Sequence, residues 1–224
     1  MSRLLFFILA AGATVAGIAA VAGASWLLSV NLRSRKKLLA VTLLLAYGAA
    51  LWFRPTAWPF IDLAVVAGAL GAVLLIEGGL QTPPAVAVFL TVAAVVDYLS
   101  VSGGLSRVII ERYRDGTGDL LIYLSLVVLV RGHLIPIVGI SDLFIGAAAA
   151  TALLRLGFRP VAVMGTIAGA LLCALAYGFW RGGAPAVPFL AGAVALLVWR
   201  HSSRTAAGRV HAASTLRDGC RGAG

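Results

Sequence analysis

The stretch IVGISDLFIG, residues 137–146, sets an aspartate, Asp142, inside an apolar run with Gly139, Ile140 and Ser141 directly ahead of it. Moving a carboxylate into hydrocarbon is costly, so an acid within a membrane segment marks a working site unless a structural partner accounts for it. A second acid, Asp97 in VAAVVDYLSVSGG, raises the same question. Whether these two belong together decides how the whole chain is read.

The surroundings are those of a membrane protein. Of the 224 residues, 61% are hydrophobic and 12% charged, and the mean hydropathy is +1.02. Soluble domains lie nearer half apolar and about a quarter charged. Apolar segments of roughly 17–25 residues, enough to cross a bilayer, recur along the chain. The pattern predicts helices over about 4–30, 37–53, 58–79, 83–102, 134–156, 160–180 and 184–200, separated by RSRKK (33–37), RPTAWP (54–59), QTPP (81–84), RLGFRP (155–160) and RGGAP (181–185). Proline just inside a helix start is well placed, because its missing N–H has no intrahelical partner there. The expected fold is therefore an all-α polytopic membrane bundle of seven spans. LLIYLSLVVLV (120–130) adds an eighth if it crosses; its length and β-branched content equally suit a strand, a re-entrant segment or a short helix. The preceding segment, 103–119, is polar and reads as a solvated loop.

The first apolar stretch runs beyond the 7–15 residues of a signal-peptide core and reads as a retained helix. Cys173 and Cys220 are too few and too far apart for a disulfide framework or metal site. The net charge of +10 does not imply nucleic acid, since Lys and Arg gather between the apolar runs and in the tail. Placing 33–37, 155–159 and the C-terminal end in the cytoplasm puts eleven of the 18 basic residues inside. That orientation has the N-terminus out and the C-terminus in, in a plasma membrane. Three regions follow: N-terminal helices at 1–82, a catalytic-type region at 83–200, and an Arg-, Ser- and Gly-rich tail at 201–224 whose composition predicts disorder.

Of the eight acids, Asp218 lies in the tail and Glu111, Asp115 and Asp119 in the polar segment, where solvation suffices. Asp62 and Glu77 sit near opposite ends of one predicted helix, close enough to the interfaces to be wetted, and read as structural. Asp97 and Asp142 remain. No Lys or Arg lies within a turn or two of either, and small residues (Ala93, Ala94, Gly139, Gly146) neighbour them. Small residues let membrane helices approach closely, so the carboxylates can face each other across one helix pair. Two carboxyl groups in contact cannot both ionise; the pair holds a single proton, one member serving as general base on water and the other as acid. The bland reading is that each acid separately bonds a Ser, Tyr or backbone group, and an ion relay is a further use.

These residues resemble the intramembrane aspartyl proteases, namely signal peptide peptidase, presenilin and their prokaryotic relatives. That family carries one aspartate in Tyr-Asp, a second in Gly-x-Gly-Asp, and a late Pro-Ala-Leu. The matching positions here are Val96-Asp97, Gly139-Ile140-Ser141-Asp142 and Pro185-Ala186-Val187, with Tyr98 following the first aspartate rather than preceding it. The likeness covers roughly 83–200. It implies a presenilin-like helical bundle and peptide-bond hydrolysis by an Asp97/Asp142 dyad. It also implies substrate positioning by Tyr98, Gly139, Ser141, Pro185, Ala186 and Val187. Transmembrane segments would be the substrates, the lipid bilayer the other partner, and no cofactor or metal is called for. The segment between the two aspartates is expected to help present substrate as an extended strand. Ser141 stands where the family has glycine, so a catalytically silent scaffold on the same fold is an alternative. Prepilin peptidases share the two-aspartate plan and form a sub-alternative. A proton-coupled transporter is the reading from another class, although no internal repeat supports it. His133 reads as a loop histidine.

Overall fold

The computed structural model describes residues 3–31, 35–130, 132–181 and 186–200. Three long helices come first: α1 (Arg3–Asn31), α2 (Lys36–Phe53) and α3 (Trp58–Ile76), the last closed by a 3-10 turn, Glu77–Gly79. Next are α4 (Pro83–Gly103), α5 (Leu105–Arg114), the short α6 (Leu120–Tyr123) and a hairpin of β1 (Ser125–Val130) and β2 (His133–Gly139). The chain finishes with α7 (Ile140–Arg155), α8 (Pro160–Arg181) and α9 (Val187–Arg200). Proline opens α3 and α4 within their first two positions, and at α4 the Thr82 hydroxyl accepts the Ala85 N–H. After α7, Gly157 takes a left-handed φ of 83°. The N–H groups of Gly157 and Phe158 return to the carbonyls of Leu154 and Leu153, the glycine-dependent closure expected where a helix must stop sharply.

The fold is mostly helical, consistent with the expected helical bundle, with one two-stranded hairpin, and two expected elements change. The helix anticipated at 134–156 begins only at Ile140, because HLIPIVG pairs as a strand with SLVVLV. Segment 120–130 is one helical turn followed by β1, so both the strand and the short-helix readings hold in part. Within the segment read as a loop, residues 105–114 are helical. Among the described residues four helices are long and apolar enough to cross a membrane: Lys36–Phe53, Trp58–Gly79, Pro83–Gly103 and Pro160–Tyr177. Gly12–Leu28 and Val187–Arg200 are shorter apolar helices. The tail at 201–224 and Pro185 lie outside the described residues.

The core centres on α7. Its Leu143, Ala147, Ala149, Ala150 and Leu153 are fully buried, together with Ile18 and Val21 of α1, Val65 and Ala69 of α3, and Ile167 of α8. The small residues serve α1 rather than α4. A Cβ at Gly146 would lie 2.6 Å from Ile18 Cδ1, and the buried hydroxyls of Ser25 and Thr151 are 2.8 Å apart across the same helix pair. The two acid-bearing helices, α4 and α7, instead meet through Phe89 and Phe144, whose rings pack edge to face at 6.1 Å.

Glu77 is buried, not wetted. It is 2% exposed and accepts from Lys36 Nζ at 3.0 Å and from Arg155 at 2.9 Å, tying the ends of α2, α3 and α7. Removing one member of a buried ion cluster strands the others, at roughly 3–5 kcal/mol. Glu77→Leu is therefore expected to lower the thermal midpoint in detergent by several degrees. Arg54→Ala removes an ion pair to Asp119 whose side chains are 56% and 53% exposed and should change stability by no more than about 1 kcal/mol.

Candidate functional site

Two helices begin inside the bundle rather than at its edge. Asp97 lies fourteen residues after Pro83, and Asp142 lies thirteen before Arg155. At a rise of about 1.5 Å per residue, each is roughly 20 Å from the same end of the bundle. Val187, thirteen residues before Arg200, starts α9 at that same level. The first turns of α7 and α9, the positive ends of their dipoles, thus converge on the level of both acids.

The site assembles from these starts. The Val187 N–H donates to Asp97 Oδ2 at 3.2 Å, tying the first residue of α9 to the first aspartate. Asp142 is the third residue of α7. A Cβ on Gly139 would lie 3.4 Å from Ser141 Oγ and 3.5 Å from Asp142 Oδ2, so the serine hydroxyl and the carboxylate share one corner. The first N–H of α7, that of Ile140, goes to the Leu124 carbonyl at 2.8 Å.

Asp97 and Asp142 line a single cavity of about 350 Å³, with Gly139, Ser141 and Ala186 on the same wall. Val101 of α4, Ser106, Ile109 and Ile110 of α5, and residues 136–139 of β2 complete it. Tyr98 stands apart, 59% exposed on α4 and not on the cavity wall. Among the described residues no group of three or more His, Cys, Asp and Glu could hold a metal ion. His133 is exposed at the start of β2.

The hairpin that leads into α7 is held from outside. Antiparallel pairing alternates groups that face the partner strand with groups that face away. Counting from the Val130–His133 pair, Val127 and Leu134 face away. Asp62 of α3 accepts the Val127 N–H at 2.8 Å, and the Tyr113 hydroxyl of α5 donates to the Leu134 carbonyl at 2.9 Å. Pro136 opposes Val127, an outward position where its missing N–H costs no ladder bond. Tyr47 adds a bond from α2 to the Tyr123 carbonyl at 3.2 Å.

Of the residues singled out in the sequence, Asp97, Asp142, Gly139, Ser141 and Ala186 line this cavity, Tyr98 does not, and Val187 bonds to Asp97 through its N–H. Sequence reasoning passed over α5 and the strand-capping use of Asp62. The signal for α5 was the spacing of Ser106, Ile109 and Tyr113, which share one helical face. The chain matches no protein-family model, no curated protein and no solved structure.

If Asp62 anchors β1, Asp62→Leu leaves the Val127 N–H without its acceptor, at about 1–3 kcal/mol. Exchange of that amide should accelerate and the thermal midpoint should fall. Asp62→Asn keeps an acceptor oxygen and should stay close to the parent in both measurements.

Proposed function

We propose that the chain is an intramembrane aspartyl endopeptidase that cuts transmembrane segments with Asp97 and Asp142. One observation carries the reading: the two carboxylates line one cavity inside a helical bundle, and the Pro-Ala-Val segment is hydrogen-bonded to the first of them. Three separated stretches singled out in the sequence thereby meet at a place large enough for peptide and water. In this reading seven segments cross a plasma membrane, with the C-terminus cytoplasmic.

The chemistry needs no bound metal. One carboxylate removes a proton from a water held between the pair. The resulting hydroxide adds to the scissile carbonyl carbon, while the protonated carboxyl of its partner donates to the carbonyl oxygen. The tetrahedral diol then collapses: the C–N bond breaks, the nitrogen takes up a proton, and the new carboxyl group leaves with the other fragment. Because the proton is shared, activity titrates with two values that belong to the pair. A helical substrate hides its carbonyls in its own hydrogen bonds, so it must unwind locally. The edge of β2 beside the cavity offers the unwound segment a strand to pair with.

A non-catalytic scaffold on the same fold is favoured by one feature, Ser141, which stands where the resembled family has glycine and shares its corner with the Asp142 carboxylate. Cleavage of a fluorogenic transmembrane peptide by the purified protein in liposomes separates the two. Asp97→Asn and Asp142→Asn should each cut the rate by at least 100-fold while membrane insertion and thermal midpoint hold, and a hydroxyl-bearing transition-state isostere should block the parent. Full activity in both variants refutes the dyad; a wholly inert parent favours the scaffold.

A further inference from the structure

We infer that α5 is a hinged lid over the cavity and that the Tyr113 hydroxyl is its latch, sitting on a backbone group that an incoming strand must take. The identity of the incoming strand rests on the protease reading; the lid itself does not.

Three observations build the lid. First, α5 faces the cavity with one stripe. Ser106, Ile109 and Tyr113 are half-buried, every other residue of the helix is exposed, and none is fully buried. Ser106, Ile109 and Ile110 are part of the cavity wall, so the helix is the thin side of the chamber. The other face carries Arg107, Glu111 and Arg114, with Arg107 bonded to Glu111 at 2.8 Å.

Second, glycines bracket the helix. Gly103 and Gly104 join it to α4, and a Cβ at Gly104 would lie 2.8 Å from Ser100 Cα, so this corner folds back more tightly than another residue allows. At the far end Gly116 takes a φ of 68°, with Gly118 two residues on. Backbone freedom on both sides suits a rigid element that swings.

Third, the tethers are few and polar. Near the first corner the Ser100 and Ser106 hydroxyls are 2.6 Å apart and Arg107 donates to the Ser102 carbonyl at 3.2 Å. At the far end the Tyr113 hydroxyl holds the Leu134 carbonyl. That carbonyl faces away from β1, on the edge of β2 that runs down to the cavity. A strand pairing there needs the same acceptor for its own N–H, so Tyr113 and the strand compete for one oxygen. The exchange is balanced: an O–H donor leaves as an N–H donor arrives.

The experiment reads the lid without relying on hydrolysis. In a Cys173→Ser, Cys220→Ser background, Val101→Cys places a thiol on the cavity wall, and a charged maleimide reports its access in liposomes. Adding Tyr113→Phe should speed that labelling at least fivefold, while a thiol from His133→Cys at the exposed hairpin tip reacts at an unchanged rate. Cleavage of the transmembrane peptide should rise several-fold in Tyr113→Phe with intact aspartates. Faster labelling with no cleavage by any variant keeps the lid and removes the protease reading. Unchanged labelling alongside ordinary cleavage overturns the lid and keeps the protease. If Tyr113→Phe fails to accumulate, Ser106→Ala loosens the other tether and is read identically.

Discussion

Backbone N–H and C=O groups shut away from water must find partners within the protein, and this chain interrupts its helices inside the bundle. A hairpin and two helix starts lie at one level of the bundle. Each exposes backbone groups that a continuous helix would satisfy by itself. The groups found there are taken up by specific neighbours: the Val127 N–H by Asp62, the Val187 N–H by Asp97, the Ile140 N–H by the Leu124 carbonyl, and the Leu134 carbonyl by the Tyr113 hydroxyl. The irregular backbone and the carboxylates of Asp62 and Asp97 therefore explain one another. An unbroken helix needs no such acceptors.

This arrangement divides the molecule into a fixed half and a loose half. The fixed half is α1, α3 and α7, joined by the alanine run, by the contact of Gly146 with Ile18, and by the Glu77 ion cluster at the far end. Close packing of small residues leaves little freedom to shift. The loose half is α5, which buries no residue and hangs between glycines. Local opening follows low burial and few contacts, so motion near the cavity belongs to α5 and the carboxylate of Asp142 keeps its place.

Much of this was legible in the sequence, and the exceptions have physical causes. Helix positions followed from hydropathy and from proline at helix starts, and most boundaries agree to within a few residues. Asp97 and Asp142 stood out because nothing local could neutralise them. The strand at 133–139 was hidden because a continuous apolar run reads alike as a buried strand or a buried helix; only Pro136 hinted that a helix cannot run through it. The role of Glu77 was missed because its two cations lie 41 and 78 positions away. The small residues were seen but assigned to the wrong partner, since composition shows that a helix face is narrow without showing which neighbour fills it.

The bond between Val187 and Asp97 also limits what the cavity can do. With Oδ2 engaged by a backbone N–H, Asp97 presents Oδ1 as its less encumbered oxygen, and α9 cannot move without disturbing that carboxylate. Asp142 is fixed from a different side, by the Gly139 corner and the first turn of α7. Two carboxyl groups held by separate helices keep their relation only while both helices do. In the proposed protease reading, a segment docking between β2 and the start of α9 would touch both holders together and couple binding to the alignment of the pair. An ion relay has no need of that coupling, whereas attack of a water on a bound carbonyl depends on it.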